Sequence, residues 1–407
     1  VTGVQTCALP SGTPWVLKAV NKPPAAFTMV ARALQAAFGL RVVAVSGAPG
    51  NGLQLGRDAL VDVQRAKDDE LRQKYPQAKI VVLERGVFPT GASTKNAGFA
   101  CFGSPTEILS DIKLLGEKKA FEIIWQRFEG LKILSERLGN EKTGRTTNGG
   151  FELIFSNPLP KGVVDGLSEW LLPIFKFPVF NDFSKNIEKF GFQNVQQLLH
   201  CAIESQIDSG KMMLNYWKLL HENNIQIITG AEVKNIQGNR IEVENNVTGG
   251  FIIKATQIIL CTNAFISELL PDMPVKPGRG QVILTNEIEN LPFQGSFHFD
   301  EGFYYFRNVG KRVLFGGGRN LDFKIEETTA FEPNEQIIND LKNKLTQIIL
   351  PNIPFKIEQQ WQGIMGFSDS KSPVVMTLNA HTKYVMACNG MGVALSPFVA
   401  KLAVNSL

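Results

Sequence analysis

The chain has 407 residues, a formal net charge of +4, 44% hydrophobic and 20% charged residues. That is enough for two packed domains, and mixing of both charge signs along the chain excludes a nucleic-acid-binding composition. Cys7, Cys101, Cys201, Cys261 and Cys388 are scattered without CxxC or Cys/His spacing, so no metal site and a reducing, cytoplasmic compartment are expected.

No apolar run reaches membrane-spanning length, and the N-terminus shows no charged-then-apolar export signal. The first ten residues, VTGVQTCALP, read as translated adapter sequence. No isoleucine occurs before Ile80, whereas the chain beyond it is rich in Ile, Lys, Asn and Phe. This step points to two joined sources with a seam between Gln64 and Tyr75, making residues 1–72 an atypical, foreign segment. Within it, RVVAVSGAPGNG (41–52) is a strand and glycine turn, but Gly47, Gly50 and Gly52 do not form GxGxxG. Leu53-Gln54 stand where a P-loop needs Lys-Ser/Thr, so the expected structure is a strand and turn without a phosphate cradle. Asp58 to Tyr75 has the spacing of a moderately amphipathic helix.

The stretch that organises the rest is IVVLERGVFPTGASTKNAGF (80–99). Ile80 to Leu83 form a buried strand ending at an acid, Glu84, where dinucleotide-binding sheets hydrogen-bond a ribose. Arg85 follows, then turn residues Gly86, Pro89 and Gly91, then Ser93, Thr94, Asn96, Ala97 and Gly98. Hydroxyls, an amide and exposed N–H groups suit a pyrophosphate. A plain strand with an ordinary capped helix has the same local pattern.

Glu84-Arg85 followed by GASTKNAGF (91–99) resembles the second flavin motif of the D-amino-acid oxidase/glycine oxidase family, and the likeness runs from about Tyr75 to the end. The resemblance implies FAD as cofactor, bound without a covalent link. It implies Glu84 on the adenosine ribose, and Ser93, Thr94 and Asn96, with Arg85 and Ala97 beside them, along the pyrophosphate towards the flavin ring.

Pro105 to Leu138 carries apolar residues at helical spacing, a helical pair on a core. Asn148-Gly149-Gly150 leads into the strand FELIF, and Trp170 to Phe192, dense in Phe and Pro, either packs a core or borders a pocket. Gly210 to His221 is a helix and Ile225 to Ile228 a strand returning to the first sheet. Val233 then enters a hairpin turning at Gln237 to Asn239; the resemblance puts it beside the adenine. ATQIILCT (255–262) is a buried parallel strand ending at Thr262, on the edge where such sheets bind ligands. PVKPGRGQVIL (274–284) crosses into a second domain.

FYYFRNVGKRVLF (303–315) is a hairpin turning at Asn308 to Lys311, with GGGR after it. Strand alternation sets Tyr305 and Arg307 on one face, and a guanidinium fork beside a tyrosine suits a substrate carboxylate. A surface arginine on an exposed hairpin is the plain alternative; Arg279 and Arg319 are lesser candidates. WQGIMGF (361–367), SPVV and the strand YVMAC lead to NGMGVALSP (389–397) and a last helix. A glycine turn before a helix N-terminus favours anions. The resemblance puts Gly390, Met391, Gly392 and Val393 at the pyrimidine edge of the flavin.

The expected fold is α/β: an FAD/NAD(P)-binding Rossmann-like three-layer domain with a second α+β substrate domain built on an antiparallel sheet. The FAD-binding parts are expected at 73–147, 201–273 and 356–407, and the substrate parts at 148–200 and 274–355. The resemblance implies hydride transfer from an amine or amino-acid carbon to flavin N5, the imine then being hydrolysed. The electron acceptor is oxygen or, in a dehydrogenase, another carrier. Two further alternatives are a non-catalytic chain lacking its first FAD motif and a separate nucleotide-binding module at 11–72. His200, His221, His298 and His381 form no triad and read as structural.

Overall fold

A computed structural model describes residues 42–46, 59–60, 79–223, 225–245, 249–386 and 389–406 of the chain, the first two stretches by backbone alone. Two sheets organise it. A six-stranded sheet has the order Val374–Thr377, Thr382–Met386, Gln257–Leu260, Val42–Ser46, Lys79–Leu83, Gln226–Ile228. Lys79–Leu83 runs parallel to Gln226–Ile228, and Gln257–Leu260 parallel to Thr382–Met386. These strands are short runs of Ile, Val and Leu because both of their faces are covered. Val81, Val82, Leu83, Ile258, Ile259 and Leu260 are almost fully buried. The long Glu117–Thr143 helix, the Ser209–Glu222 helix and the C-terminal Gly392–Asn405 helix contribute to the same core.

The Val42–Ser46 strand occupies the slot between Gln257–Leu260 and Lys79–Leu83 but runs antiparallel to both. Val42 pairs with Leu83 and Ser46 with Lys79, so the chain leaves this strand at the edge opposite Glu84. The expected turn at Gly47 to Gly52 lies outside the described residues, as does most of the expected 58–75 helix. Of that helix, Ala59–Leu60 instead pairs as a short strand with Ile253–Lys254, a difference that spacing on one segment could not reveal.

The second sheet has eight strands, in the order Ile357–Phe367, Lys276–Thr285, Arg312–Gly317, Tyr304–Val309, Ser296–Phe299, Gly150–Ile154, Gln197–Cys201, Phe180–Asp182. All its pairs are antiparallel except Ser296–Phe299 with Gly150–Ile154. Ile357–Phe367 pairs here along its whole length, although its position in sequence grouped it with the flavin-binding part. Alternation along these strands separates two unlike faces. One carries Phe151, Phe297, Phe306, Phe315 and Ile283, packed with the Glu335–Lys344 helix into an aromatic core. The Phe-rich stretch before Phe192 belongs to this core and to a neighbouring one containing Phe175 and Phe180. The opposite face carries Arg307, Tyr305, His298 and Glu152, with Gly316, Gly280 and Gly278. No described helix is long and apolar enough to cross a membrane.

Candidate functional site

Glu84 stands at the carboxyl end of the Lys79–Leu83 strand. Its backbone continues the parallel pairing, donating to Ile228 O and accepting from Ala231 N, both at 2.9 Å. This places the start of the Ala231–Gln237 strand, and buried Val233 within it, next to the acid. The carboxylate is 2% exposed. Its Oε1 accepts the Gly86 N–H at 2.7 Å, whereas buried Oε2 has no hydrogen-bond partner among the described residues. Burial pushes the carboxyl up to about 7, and the Gly86 hydrogen bond opposes this only in part. Arg85 turns outward, donating to Glu268 at 2.8 Å and lying over Phe265.

The segment beyond is tied inward by its own polar groups. Ala92–Lys95 is one helical turn whose start has no side-chain cap. The Thr94 hydroxyl bonds back to Pro89 O and Gly91 O, both at 3.0 Å. Asn96 donates to Ser93 O and accepts from Gly98 N and Ser209 Oγ. The Ser93 hydroxyl makes no hydrogen bond to a described residue, leaving it available to a ligand. Trp361 Nε1 donates to Lys95 O at 3.0 Å, anchoring the turn on the edge strand of the eight-stranded sheet.

Arg307 closes the loop from the other side. Nε donates to Ala97 O at 2.5 Å, one Nη to Gln206 Oε1 and the other to Ile207 O, both at 3.2 Å. Gly98 adopts φ +78°, and a Cβ there would meet Arg307 Nη2 at 2.5 Å, so only glycine lets the clamp shut. Arg307 is 8% exposed with no carboxylate in contact, and burial pulls its guanidinium down to about 10. Tyr305 lies on the same face, its ring edge-on to Phe99 and against Gly316. Burial pushes its phenol up to about 12.

At the same carboxyl-end side of the six-stranded sheet, Thr262 follows the Gln257–Leu260 strand with a buried hydroxyl that has no described partner. Asn263, at φ 52°, then bonds Ile364 O and Gly366 N across to the other sheet. Asn389, at φ 44°, holds Ser368 N and Ser372 O, fixing the turn before the last helix. Gly390 follows at φ 81°, and the Gly392–Asn405 helix starts after Met391 with no side-chain cap on its first N–H groups. Glu84, Thr262 and the Gly390–Val393 turn therefore all follow the carboxyl ends of strands on one side of the six-stranded sheet. Arg85 and Asn96 are spent on the protein's own contacts.

Sequence reasoning missed Gln206, Ser209 and Trp361, which position the loop only through contacts a hundred or more residues away. It also missed Glu152 and Glu204, buried acids pushed up to about 7 and about 8 by desolvation. Glu152 accepts from Ser104 and Thr106, and Glu204 from Phe102 N, so both serve as long-range caps of the 102–106 turn. His298 is half-buried edge-on to Phe99, its Nε2 has no described partner, and burial pulls its imidazole down to about 4. No described group of His, Cys, Asp and Glu side chains is arranged to hold a metal ion.

A parallel-strand edge ending in a buried acid, joined to a largely antiparallel sheet across a polar loop, defines a Rossmann-like α/β protein with a second sheet. The pattern of the FAD dependent oxidoreductase family, DAO, matches residues 70–406, and the chain belongs to that family. Among solved structures, glycine oxidase from Geobacillus kaustophilus is 14% identical, with TM-score 0.61 and coverage of 94% of this chain and 92% of that one. L-proline dehydrogenase from P. horikoshii is 17% identical, with TM-score 0.61 and coverage of 82% and 87%. At such identities these two show a shared fold. Hydrogen cyanide synthase subunit HcnC of Pseudomonas protegens is 22% identical over 201 residues, 47% of this chain. The match spans about half of that relative's length, 46%.

The family is FAD-dependent, and this chain fits FAD in part. Glu84 Oε2 and Thr262 Oγ1 are buried polar atoms with no described partner, as expected of groups completed by a ligand. The first strand does not fit. Ser46 pairs with Lys79, five residues from Glu84, so any turn leaving it starts about 16 Å from the acid at ~3.3 Å per residue.

The free carboxyl of Glu84 gives a pH signature. A ribose held here would donate its hydroxyls to the ionised form, so its binding would release the proton that burial retains below about 7. The unliganded fold correspondingly loses stability as pH rises from the unfolded carboxyl range through about 7. FAD affinity should rise about tenfold per pH unit up to about 7 and then level off. Titrating Glu84→Gln by flavin fluorescence should give a flat profile; an unchanged slope would remove Glu84 from the cofactor site.

Proposed function

We propose that this chain oxidises the C–N bond of an amine or amino acid held between the Ser93–Gly98 loop and the facing sheet. The observation that carries the reading is the pair of buried, unpartnered oxygens, Glu84 Oε2 and Thr262 Oγ1, at the carboxyl ends of two strands of the six-stranded sheet beside that loop, in a chain of an FAD-dependent family. Gly278, Gly280 and Gly316 of the facing sheet sit inside strands and let the side chains of Phe367, Met365 and Tyr305 pack close over the backbone. Bound flavin would supply the hydride acceptor, and water would hydrolyse the imine released.

Every other task falls to the protein. Glu84 would hold the ribose, Val233 border the adenine, and Thr262 complete the same edge. Ser93, Thr94 and the backbone at Ala97 would line the pyrophosphate side. The uncapped N–H groups near Gly390, Met391, Gly392 and Val393 would face the pyrimidine edge, where the helix dipole favours negative charge. Tyr305 and Arg307, on the sheet face that meets Phe99 and Ala97 of the loop, would border the substrate. The flavin-binding part would comprise 73–147, 201–273 and the chain after Phe367. The substrate part would comprise 148–200 and 274–367. Free buried thiols at Cys101, Cys201 and Cys261 support a reducing cytoplasmic setting.

The antiparallel Val42–Ser46 strand favours one second reading, a chain that keeps the site but holds FAD too weakly to turn over. The two are separated by supplying excess FAD and measuring amine-dependent oxygen uptake and dye reduction over a panel of amino acids and N-alkyl amines. Oxygen uptake marks an oxidase, and dye reduction alone marks a dehydrogenase. A chain that takes up FAD but reduces neither acceptor with any amine would defeat the proposal.

A further inference from the structure

We propose that His298 and Glu152 hold one water molecule between them, forming a proton path from the substrate side of the eight-stranded sheet to a buried acid. The role of the path in catalysis rests on the amine-oxidation reading above; the water site itself does not. Tyr305, His298 and Glu152 are register partners on three neighbouring strands, so they stand in one row on one face, about 5 Å from strand to strand. Tyr305 and His298 both meet the Phe99 ring edge-on, at 5.5 Å and 5.0 Å between centroids. Phe99 closes the Ser93–Gly98 loop, so this end of the row belongs to the proposed site. Glu152 lies one strand deeper, bonded to Ser104 beneath the 102–106 turn.

A small cavity lies at the deep end of the row. Its lining includes Ser104, Gly150, Glu152, Cys201, Glu204 and His298, and its volume of about 10 Å³ is the room that one water needs. His298 supplies a polar atom in want of a partner. The residue is half-buried, but its Nε2 is sealed from solvent and bonds to no described residue. Glu152 supplies the other end. Its Oε1 accepts from the Ser104 and Thr106 hydroxyls and its Oε2 from Thr106 N at 3.0 Å, which leaves Oε2 a second lone pair. A water that accepts from His298 Nε2–H and donates to Glu152 Oε2 satisfies both.

The charges around the cavity suit a mobile proton. Arg127, from the Glu117–Thr143 helix, is spent on Glu107 Oε1 and Phe102 O, both at 2.9 Å. Glu152 and Glu204 form no ion pair with a described residue, and burial raises them to about 7 and about 8. Burial also keeps the Cys101 and Cys201 thiols protonated, while His200 turns to Asn181 at 3.2 Å. Tyr305, pushed up to about 12, stays a neutral neighbour. An ammonium substrate must shed an N–H proton before its carbon gives up hydride, because the nitrogen lone pair becomes the second bond of the imine. Along the path that proton leaves the substrate nitrogen for Nδ1 of neutral His298. Nε2 then releases its own proton to the water, and the water passes one to the Glu152 carboxylate. No electrons change hands; the histidine ends neutral in its other tautomer and Glu152 ends as the acid. A carboxyl titrating near neutrality can both accept that proton and return it.

The test uses the full chain with excess FAD, isotope-labelled at the histidine ring nitrogens and followed by NMR across pH. The chain has four histidines, so the His298 signals are identified by their loss in His298→Gln. The expected result is a neutral ring protonated at Nε2, whose nitrogen shifts move in one step centred at about pH 7 as Glu152 ionises. Glu152→Gln should abolish the step. Cys201→Val, which fills the cavity with a methyl group and keeps both end groups, should remove most of it. A step that is absent from the parent, or that survives either substitution at full size, overturns the path. For any amine turned over, Glu152→Gln should lower kcat/KM about 100-fold at pH 7 and recover the parent value where the substrate amine is free in solution. An equal loss at every pH would make Glu152 a cap of the 102–106 turn and nothing more. A Glu152-dependent step in a chain that oxidises no amine would uphold the water site while defeating the amine-oxidation reading. Turnover without the step would do the reverse.

Discussion

Purified as the 407-residue chain, the protein should take up FAD at least about 100-fold more weakly than a version whose residues 1–78 are replaced by a strand–GxGxxG–helix unit. The expectation follows from strand direction. In a sheet of this class the first strand runs parallel to its neighbours and delivers a glycine turn and helix N-terminus beside the ribose acid. Here Val42–Ser46 takes the same slot in the opposite direction, so Val42, where the strand begins, pairs with Leu83. Lost pyrophosphate hydrogen bonds cost about 1.5–3 kcal/mol each when charge is involved, so two or three suffice for that loss of affinity. A visible absorption spectrum with and without added FAD measures it. Equal flavin uptake by the two versions would mean that the Ser93–Gly98 loop and the Gly390 turn hold the cofactor without a first-strand cradle.

Arg307→Met should chiefly damage the cofactor loop. It removes the donors to Ala97 O, Gln206 Oε1 and Ile207 O, leaving buried acceptors unpaired on two segments. Losses of this kind run to about 3–5 kcal/mol, so a Tm lower by about 5 °C or more and weaker FAD binding are expected. KM for an amino acid relative to a plain amine should change little. A strong, selective rise in the amino-acid KM, with Tm and FAD affinity intact, would instead make Arg307 the carboxylate partner that its fork and its neighbour Tyr305 suggest on sequence grounds.

Both predictions turn on facts that lie at different levels of the molecule. The amino-acid sequence by itself determined the local elements after Ile80. Runs of branched residues ending at Glu84, the GASTKNAGF loop, the alternating hairpin of 303–315 and the glycine turn before the last helix are each legible because they depend on neighbours within a few residues. The same local logic read a strand in the 41–52 stretch, and Val42–Ser46 forms one, while the turn after it lies outside the described residues.

Direction and partnership were another matter. A five-residue run such as VVAVS pairs equally well in either direction, and only its neighbours Leu260 and Leu83 decide which. Likewise, a guanidinium has the same chemistry in Arg279 and in Arg307. Glu326 accounts for the first and the Ala97 and Ile207 carbonyls for the second, and these acceptors lie 47 to 210 residues away. Which groups an arginine serves is decided by tertiary contacts alone, because a charge is satisfied by whatever the fold brings within about 3 Å of it.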